Sequence, residues 1–148
     1  MATSERPLNG FVVVSVEQAV SAPLATRYLA DLGATVIKVE RPEGDFARDY
    51  DTIVNGQATF FVWANRGKQS LVLDLKNADD MDRFRDLVRG SDIYIQNLAP
   101  QSAAGLGITA ENMREGHEAL VAVDISGYGE GGPRSNDKAY DLAIQAEA

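Results

Sequence analysis

The sequence predicts an α/β fold, a parallel sheet with helices on both faces, and three observations carry that expectation. Apolar runs such as Phe11-Val12-Val13-Val14-Ser15-Val16 are continuous rather than alternating, as in strands covered on both sides. These runs alternate with helical stretches joined by short turns, the pattern of a parallel sheet. Finally, residues 18–41 read as a strand tip, a small-residue loop, an amphipathic helix closed by glycine, and a second strand ending in Glu40-Arg41. That is the order of a nucleotide-binding βαβ unit.

Each element has its own signal. Residues 1–10 are polar, with Pro7 and Asn9-Gly10 marking a turn, and read as a flexible leader. Residues 11–16 form the first strand. The helix that follows sets Leu24, Tyr28, Leu29 and Leu32 on one stripe, and Gly33 supplies its left-handed stop. Residues 35–39 are a second buried strand. Residues 41–57, rich in Pro, Gly and Asp, read as a long loop, and a loop of that length is a candidate binding loop. Phe60-Phe61-Val62-Trp63 reads as a short helix packed on the sheet, and residues 71–75 as a third strand. Residues 78–89, with Met81, Phe84, Leu87 and Val88 on one face, form a surface helix. Ile93-Tyr94-Ile95 is a fourth strand, broken by Asn97-Leu98-Ala99-Pro100. Two short helices near Ser102 and Glu111 precede a fifth strand at 120–125. A glycine-rich loop follows at 127–133, and from Ala139 the pattern is helical again.

A chain of 148 residues is one domain by default, or part of one, able to bury roughly 68–70% of its unfolded surface. The net charge of −8 repels nucleic-acid phosphates and anionic lipid, so neither is expected as a partner. A small phosphate-bearing ligand needs only a local cluster of cations and stays open. With no cysteine there is no disulfide, no thiolate nucleophile and no zinc–thiolate site, and no metal is expected. The amino terminus lacks the basic and apolar regions of a secretory signal. No apolar run approaches the roughly 20 residues that span a bilayer, so the expected location is the cytoplasm.

The candidate site gathers at the strand ends. The loop Gln18-Ala19-Val20-Ser21-Ala22-Pro23 lacks the G-x-G-x-x-G by which backbone amides approach a pyrophosphate. Its small residues admit a close ligand, and they equally pack a tight strand–helix turn. Glu40-Arg41 ends the second strand, where an acid suits a ribose diol and an arginine stacks on adenine or pairs with phosphate. An arginine there can equally be a solvated one. Lys76 follows the third strand and Asn97 the fourth, at the same rim. Polar residues at three successive strand ends sketch a groove for a phosphorylated nucleotide. His117, in an acidic segment, reads as solvated, and the glycine-rich loop lacks the Lys-Ser/Thr of a P-loop.

A run of motifs in order gives a resemblance. It comprises Ala22-Pro23, then residues 30–41, Gly44-Asp45, Asn65-Arg66-Gly67-Lys68-Gln69-Ser70 with Leu71 to Lys76, Gln96-Asn97, and Ser126-Gly127-Tyr128-Gly129. From Phe11 to its last residue the chain resembles the family III CoA-transferases, which include formyl-CoA transferase, the carnitine CoA-transferases and the α-methylacyl-CoA racemases. Residues 140–148 look most like the mesaconyl-CoA and dicarboxylate-type transferases. The resemblance implies a Rossmann-like large domain, of which residues 11–148 would be the incomplete amino-terminal part, together with a small domain and two interlocked subunits. It implies coenzyme A contacts at Gln18, Ala19, Arg41, Leu73, Lys76, Asn97 and Leu98, with Arg41 and Lys76 on the adenosine and its phosphates. The family often carries another basic residue shortly before the Leu-Gly that is here Leu106-Gly107, where this chain has Ala103-Ala104-Gly105. The glycine-rich loop would form a flexible wall of the acyl site, with Tyr128 facing the thioester and Tyr50 lining the same pocket.

The resemblance also implies a chemistry in which an aspartate carboxylate attacks an acyl-CoA thioester. A mixed anhydride and then an aspartyl-CoA thioester form, and the acceptor acid reverses the sequence. The matching aspartate is expected roughly ten residues beyond Ala148, so the chain reads as the front piece of an enzyme, inactive alone. Two other readings stay open: a non-catalytic CoA-binding or structural half-domain, and a 2-methylacyl-CoA racemase. The racemase requires a His-Asp pair, whereas Tyr140-Asp141 stands at that position and Asp141 reads as a helix cap. The expected partners are an acyl-CoA and a small carboxylic acid, with a homodimer for the full-length protein. Apolar surface at an uncovered sheet edge is expected to make the chain associate.

Overall fold

The structure, a computed structural model, describes residues 6–135 and 137–147, apart from the side chains of Asp141 and Glu147. Five parallel strands form one sheet: β1 (Val12–Val16), β2 (Thr35–Glu40), β3 (Gln69–Val72), β4 (Ile93–Gln96) and β5 (Val121–Asp124). Their spatial order is β3-β2-β1-β4-β5. The connections hold α1 (Ser21–Asp31), α2 (Thr59–Asn65), α3 (Ala78–Arg89), α4 (Pro100–Leu106) and α5 (Ala110–Arg114), and α6 (Asp141–Glu147) follows the sheet. The predicted parallel α/β architecture is thus the one observed. Strand order reverses between β1 and β4, and ligands in such sheets bind outside the carboxyl ends of the strands at that point.

Register decides which side each residue faces. Val14, Val16, Val39 and Tyr94 pack with Met81, Phe84 and Val88 of α3, Ala103 of α4 and Ile108 in one cluster. Buried Tyr94 donates its hydroxyl hydrogen to the Ile108 carbonyl (2.7 Å). Burial pushes that phenol well above its ordinary pKa, and Asp124 adds to the effect. The opposite cluster is smaller and sits under α1: Val13, Val36 and Ile95 with Ala22, Ala30 and Ala34. Val121 and Val123 pair with Ile93 and Ile95 in register, so they lie on this same side, yet both remain exposed. So do Leu71 and Val72 at the β3 edge.

Several local expectations shift. The buried residues of α1 are Ala22, Pro23, Thr26 and Ala30, not the Leu24–Tyr28–Leu29–Leu32 stripe, of which Tyr28 and Leu32 are exposed. Ala22, Thr26 and Ala30 recur every four residues, and small side chains on that row let the helix backbone lie close to the sheet. β3 begins and ends earlier than predicted. The Leu73 amide makes the last bond to the neighbouring strand, at the Glu40 carbonyl (3.0 Å). Asp74 then turns the chain by accepting from the Lys76 amide (3.0 Å).

The predicted long loop contains a 3-10 turn at Phe46–Asp49 capped by Asp45, and a bridge between Val54 and Gln57. Residues 7–10 form the expected turn, but it is docked rather than loose: the Leu8 amide donates to the Leu32 carbonyl (3.0 Å) and its side chain packs under α1. Residues 1–5 and the cap predicted at Asp141 fall outside what is described. Gly33 closes α1 with φ of +107°, as expected. At Gly127 a Cβ would come within 2.0 Å of the Ala139 Cβ, so the glycine-rich loop packs against the approach to α6.

Candidate functional site

A cavity of about 590 Å³ opens at the carboxyl ends of the strands. Glu17 and Gln18 after β1, the residues from Glu40 to Asp45 after β2, Asp74 to Lys76 after β3, and Leu98 to Ser102 around the start of α4 contribute to its wall. A second cavity of about 430 Å³ shares Leu75, Lys76 and Leu106 with the first and continues along α3 to Arg85. Volumes of a few hundred Å³ suit a nucleotide-sized ligand. Among the described residues no group of three His, Cys, Asp or Glu could hold a metal ion. No described helix is long and apolar enough to cross a membrane.

Four of the predicted contacts line this cavity: Gln18, Arg41, Lys76 and Leu98. The Arg41 Nε donates to the Gly44 carbonyl (3.0 Å), and Glu43 is a distant neighbour at 3.9 Å. The Lys76 side chain has neither a hydrogen bond nor an ion pair among the described residues. Both cations therefore stand at the rim, able to meet an anion.

The other three predicted contacts, Ala19, Leu73 and Asn97, are not among the residues that line it. Asn97 ties the loops together: its Oδ1 accepts from the Gln18 amide (2.8 Å), and its Nδ2 donates to the Gln18 carbonyl (2.9 Å) and to Ser21 Oγ (3.1 Å). Ala19 adopts φ of +61° and donates its amide hydrogen to Asp45 Oδ1 (3.1 Å). Leu73 is buried in the α3-side core. Because side chains occupy the Gln18 and Ala19 amides, this loop does not offer those two amides to a pyrophosphate.

Neither Tyr50 nor Tyr128 lines this cavity. Half-exposed Tyr50 belongs to a surface row of aromatics, 5.9 Å from Phe46 and 6.5 Å from Phe60, ring centre to ring centre. The Tyr128 hydroxyl accepts from Arg134 Nη2 (2.7 Å), whose guanidinium sits 3.9 Å over the ring.

Sequence reasoning missed a buried ionic cluster beside the cavity, on the α1 side of the sheet. Lys38 Nζ lies 2.6 Å from Asp45 Oδ2 and donates to Asn65 Oδ1 (3.0 Å). Lys68 Nζ lies 2.6 Å from Glu17 Oε1 and donates to the Pro23 carbonyl (2.8 Å) and Asn65 Oδ1 (3.0 Å). Thr26 Oγ1 donates to the other Glu17 oxygen (2.7 Å). Burial pushes the Lys68 ammonium down to about 8, against the pull of Glu17.

Glu40, read above as a ribose acid, belongs to this cluster. Its oxygens accept from Arg48 Nη2 (2.7 Å) and Nε (2.9 Å), Ser70 Oγ (2.8 Å) and the Asp45 amide (3.1 Å). Burial works to raise its pKa, but these donors, Arg48 foremost, hold it at about 2. A permanently charged, fully engaged carboxylate is structural. One signal was available: a lysine in the middle of a strand covered on both sides demands a buried counter-charge.

Comparison with known proteins completes the assignment. Residues 8–148 match the model of CoA-transferase family III. The chain is 36% identical over 141 residues to the acetyl-CoA:oxalate CoA-transferase of Acetobacter aceti, covering 95% of this chain and 36% of that protein. It is 32% identical to the succinyl-CoA:glutarate CoA-transferase of Mus musculus, covering 97% of this chain and 33% of that one. A crystal structure of the Mycobacterium tuberculosis protein Rv3272 superposes with a TM-score of 0.87 at 35% identity, over 96% of this chain and 40% of that chain. The chain thus spans about 33% to 40% of the length of these relatives. With the family match over nearly its whole length, this chain belongs to CoA-transferase family III.

Proposed function

We propose that this chain is the coenzyme A-binding amino-terminal part of an enzyme that moves CoA between an acyl-CoA thioester and a free carboxylic acid. The observation that carries the reading is the pairing of Arg41 and Lys76 at the rim of a nucleotide-sized cavity at the strand ends. Arg41 offers a planar fork for a phosphate and a face for adenine, and Lys76 offers a point charge. Gln18 and Leu98 supply polar and apolar walls. Ala19, Leu73 and Asn97 serve this site indirectly, through loop geometry and packing. Tyr50 and Tyr128 would serve the acyl end of the site, with the glycine-rich loop as its flexible wall.

The chemistry follows the family resemblance. A carboxylate oxygen attacks the thioester carbonyl, giving a mixed anhydride and releasing the CoA thiolate. The thiolate attacks the aspartyl carbonyl of that anhydride, releasing the donor acid and leaving an aspartyl thioester. The acceptor carboxylate attacks this thioester and the exchange runs in reverse, so charge and atoms balance throughout. The matching aspartate is expected beyond Ala148, and this chain supplies binding only. The full-length protein would act as a homodimer in the cytoplasm.

Two measurements test the reading. Calorimetric titration of coenzyme A is expected to show binding that weakens with added salt and falls about tenfold or more in Arg41→Ala, with a comparable loss in Lys76→Ala. Unchanged affinity in both variants would place the nucleotide elsewhere. Exchange of label between an acyl-CoA and its free acid is expected to stay at the no-protein level for this chain, and measurable exchange would overturn the division of labour.

A further inference from the structure

The Gln18–Ala19 turn at the cavity rim is held from two directions by side chains of other loops. From the β4 side Asn97 binds both backbone groups of Gln18. From the β2 side Asp45 binds Ala19. The second contact sits at a strained point, because φ of +61° is a left-handed conformation that alanine does not adopt without support. Asp45 is built to give that support. Its Oδ1 accepts from the Ala19 amide (3.1 Å) and the Ala47 amide (2.9 Å), while its Oδ2 lies 2.6 Å from Lys38 Nζ. The Asp45 side chain is fully buried, and Lys38 is in turn braced by Asn65. A charged acceptor, desolvated and fixed by a counter-charge, makes stronger and more directional bonds than a solvated one.

We propose that Asp45 is a positioning residue for the nucleotide site. It locks Ala19 in the left-handed turn and so sets the rim that carries Gln18, with Lys38 holding its carboxylate in place. The inference rests on reading the cavity as the coenzyme A site. Asn97 keeps hold of Gln18 when Asp45 is removed, so the loss frees the Ala19 half of the turn without releasing the whole loop.

The test uses the isotopically labelled full chain, with amide hydrogen exchange and coenzyme A titration measured on the wild type, Asp45→Ala and Asp45→Asn. In Asp45→Ala the Ala19 amide is expected to exchange at least tenfold faster, beyond any change at Val13 and Val14 in β1, and the CoA dissociation constant to rise about tenfold. Asp45→Asn keeps an acceptor but loses the charge, and is expected to fall between. Wild-type exchange at Ala19 in a folded Asp45→Ala would overturn the proposal, as would faster exchange with an unchanged dissociation constant. Should Asp45→Ala fail to fold, Asp45→Asn decides on the same two readouts. A wild type that takes no CoA would refute the reading of the cavity, and exchange at Ala19 would still decide whether Asp45 holds the turn.

Discussion

On the side of α3, α4 and α5 the sheet buries Val14, Val16, Val39, Tyr94, Phe84 and Ile108. On the α1 side, toward the carboxyl ends of the strands, it buries Glu17, Lys38 and Asp45 beside Lys68, in a single ionic cluster with Asn65 and Thr26. Apolar contact is proportional to area and indifferent to direction, so the first side supplies stability and tolerates rearrangement. Ion pairs out of water cost desolvation that only good geometry offsets, so the ionic cluster adds little net stability to the apolar contacts under α1. What it adds is placement. The cluster borders the cavity and runs from β1 through β2 to α2, joining the segments that form the rim. The larger apolar cluster and the ionic cluster that positions the rim thus lie on opposite sides of one five-stranded sheet.

Four measurements break or sharpen that division, in descending order of effect. Phe84→Ala removes the centre of the apolar side, where Phe84 lies 6.0 Å from Tyr94 and is fully buried. A loss of about 3–5 kcal/mol is expected in chemical denaturation, with the CoA affinity of the folded protein unchanged. Lys38→Met removes a counter-charge instead and leaves Asp45 unpaired. About 3 kcal/mol of destabilisation is expected, with weakened CoA binding as well. If Phe84→Ala weakened binding as much as Lys38→Met, the division would not hold.

Acid tests the ionic side more gently. The folded pKa of Glu40, about 2, lies below its ordinary 4.5, so the ion pair stabilises fully above pH 4.5 and is lost as pH falls toward 2. With Arg48 42% exposed, screening limits the contribution to about 2 kcal/mol. Urea midpoints between pH 5 and 3 are expected to fall more steeply for the wild type than for Glu40→Gln, and equal slopes would deny the pairing. Smallest is Asn77→Ala, at the N-cap of α3. The Asn77 Oδ1 accepts from the Asp79 (2.9 Å) and Asp80 (3.2 Å) amides. A loss of about 1 kcal/mol is expected in chemical denaturation.

Much of the apolar side was legible from local pattern. The Met81–Phe84–Val88 spacing of α3 buries the residues it predicted, and the β-branched runs became central strands. The ionic side was not legible. Lys38 reads as one more residue in a strand, and Glu40 as a ligand acid, until Arg48 and Ser70 are seen on its oxygens. At the rim, Arg41 and Lys76 follow directly from strand ends, and both face the cavity. Asn97 was also read from its place after the fourth strand, and it acts by holding the Gln18 backbone; Ala19 came from the resemblance alone, and Asp45 holds its amide. α1 misled because exposed Leu32 and Tyr28 mimic a core stripe, while its buried residues are small ones such as Ala22, Thr26 and Ala30, with Leu29 packing beside them.

By itself the sequence determined the fold class, the order of elements, the glycine stop at Gly33 and the two cations at the strand ends. All of these depend on residues within a few positions of one another, where periodicity and turn chemistry act. Tertiary structure alone decided the pairings that shape the site. Lys68 reaches Glu17 across 51 positions and Asn97 reaches Gln18 across 79. Those partners meet because β1 sits between β2 and β4 in the sheet. Which buried charge finds which partner is set by strand order, and strand order is a property of the whole chain.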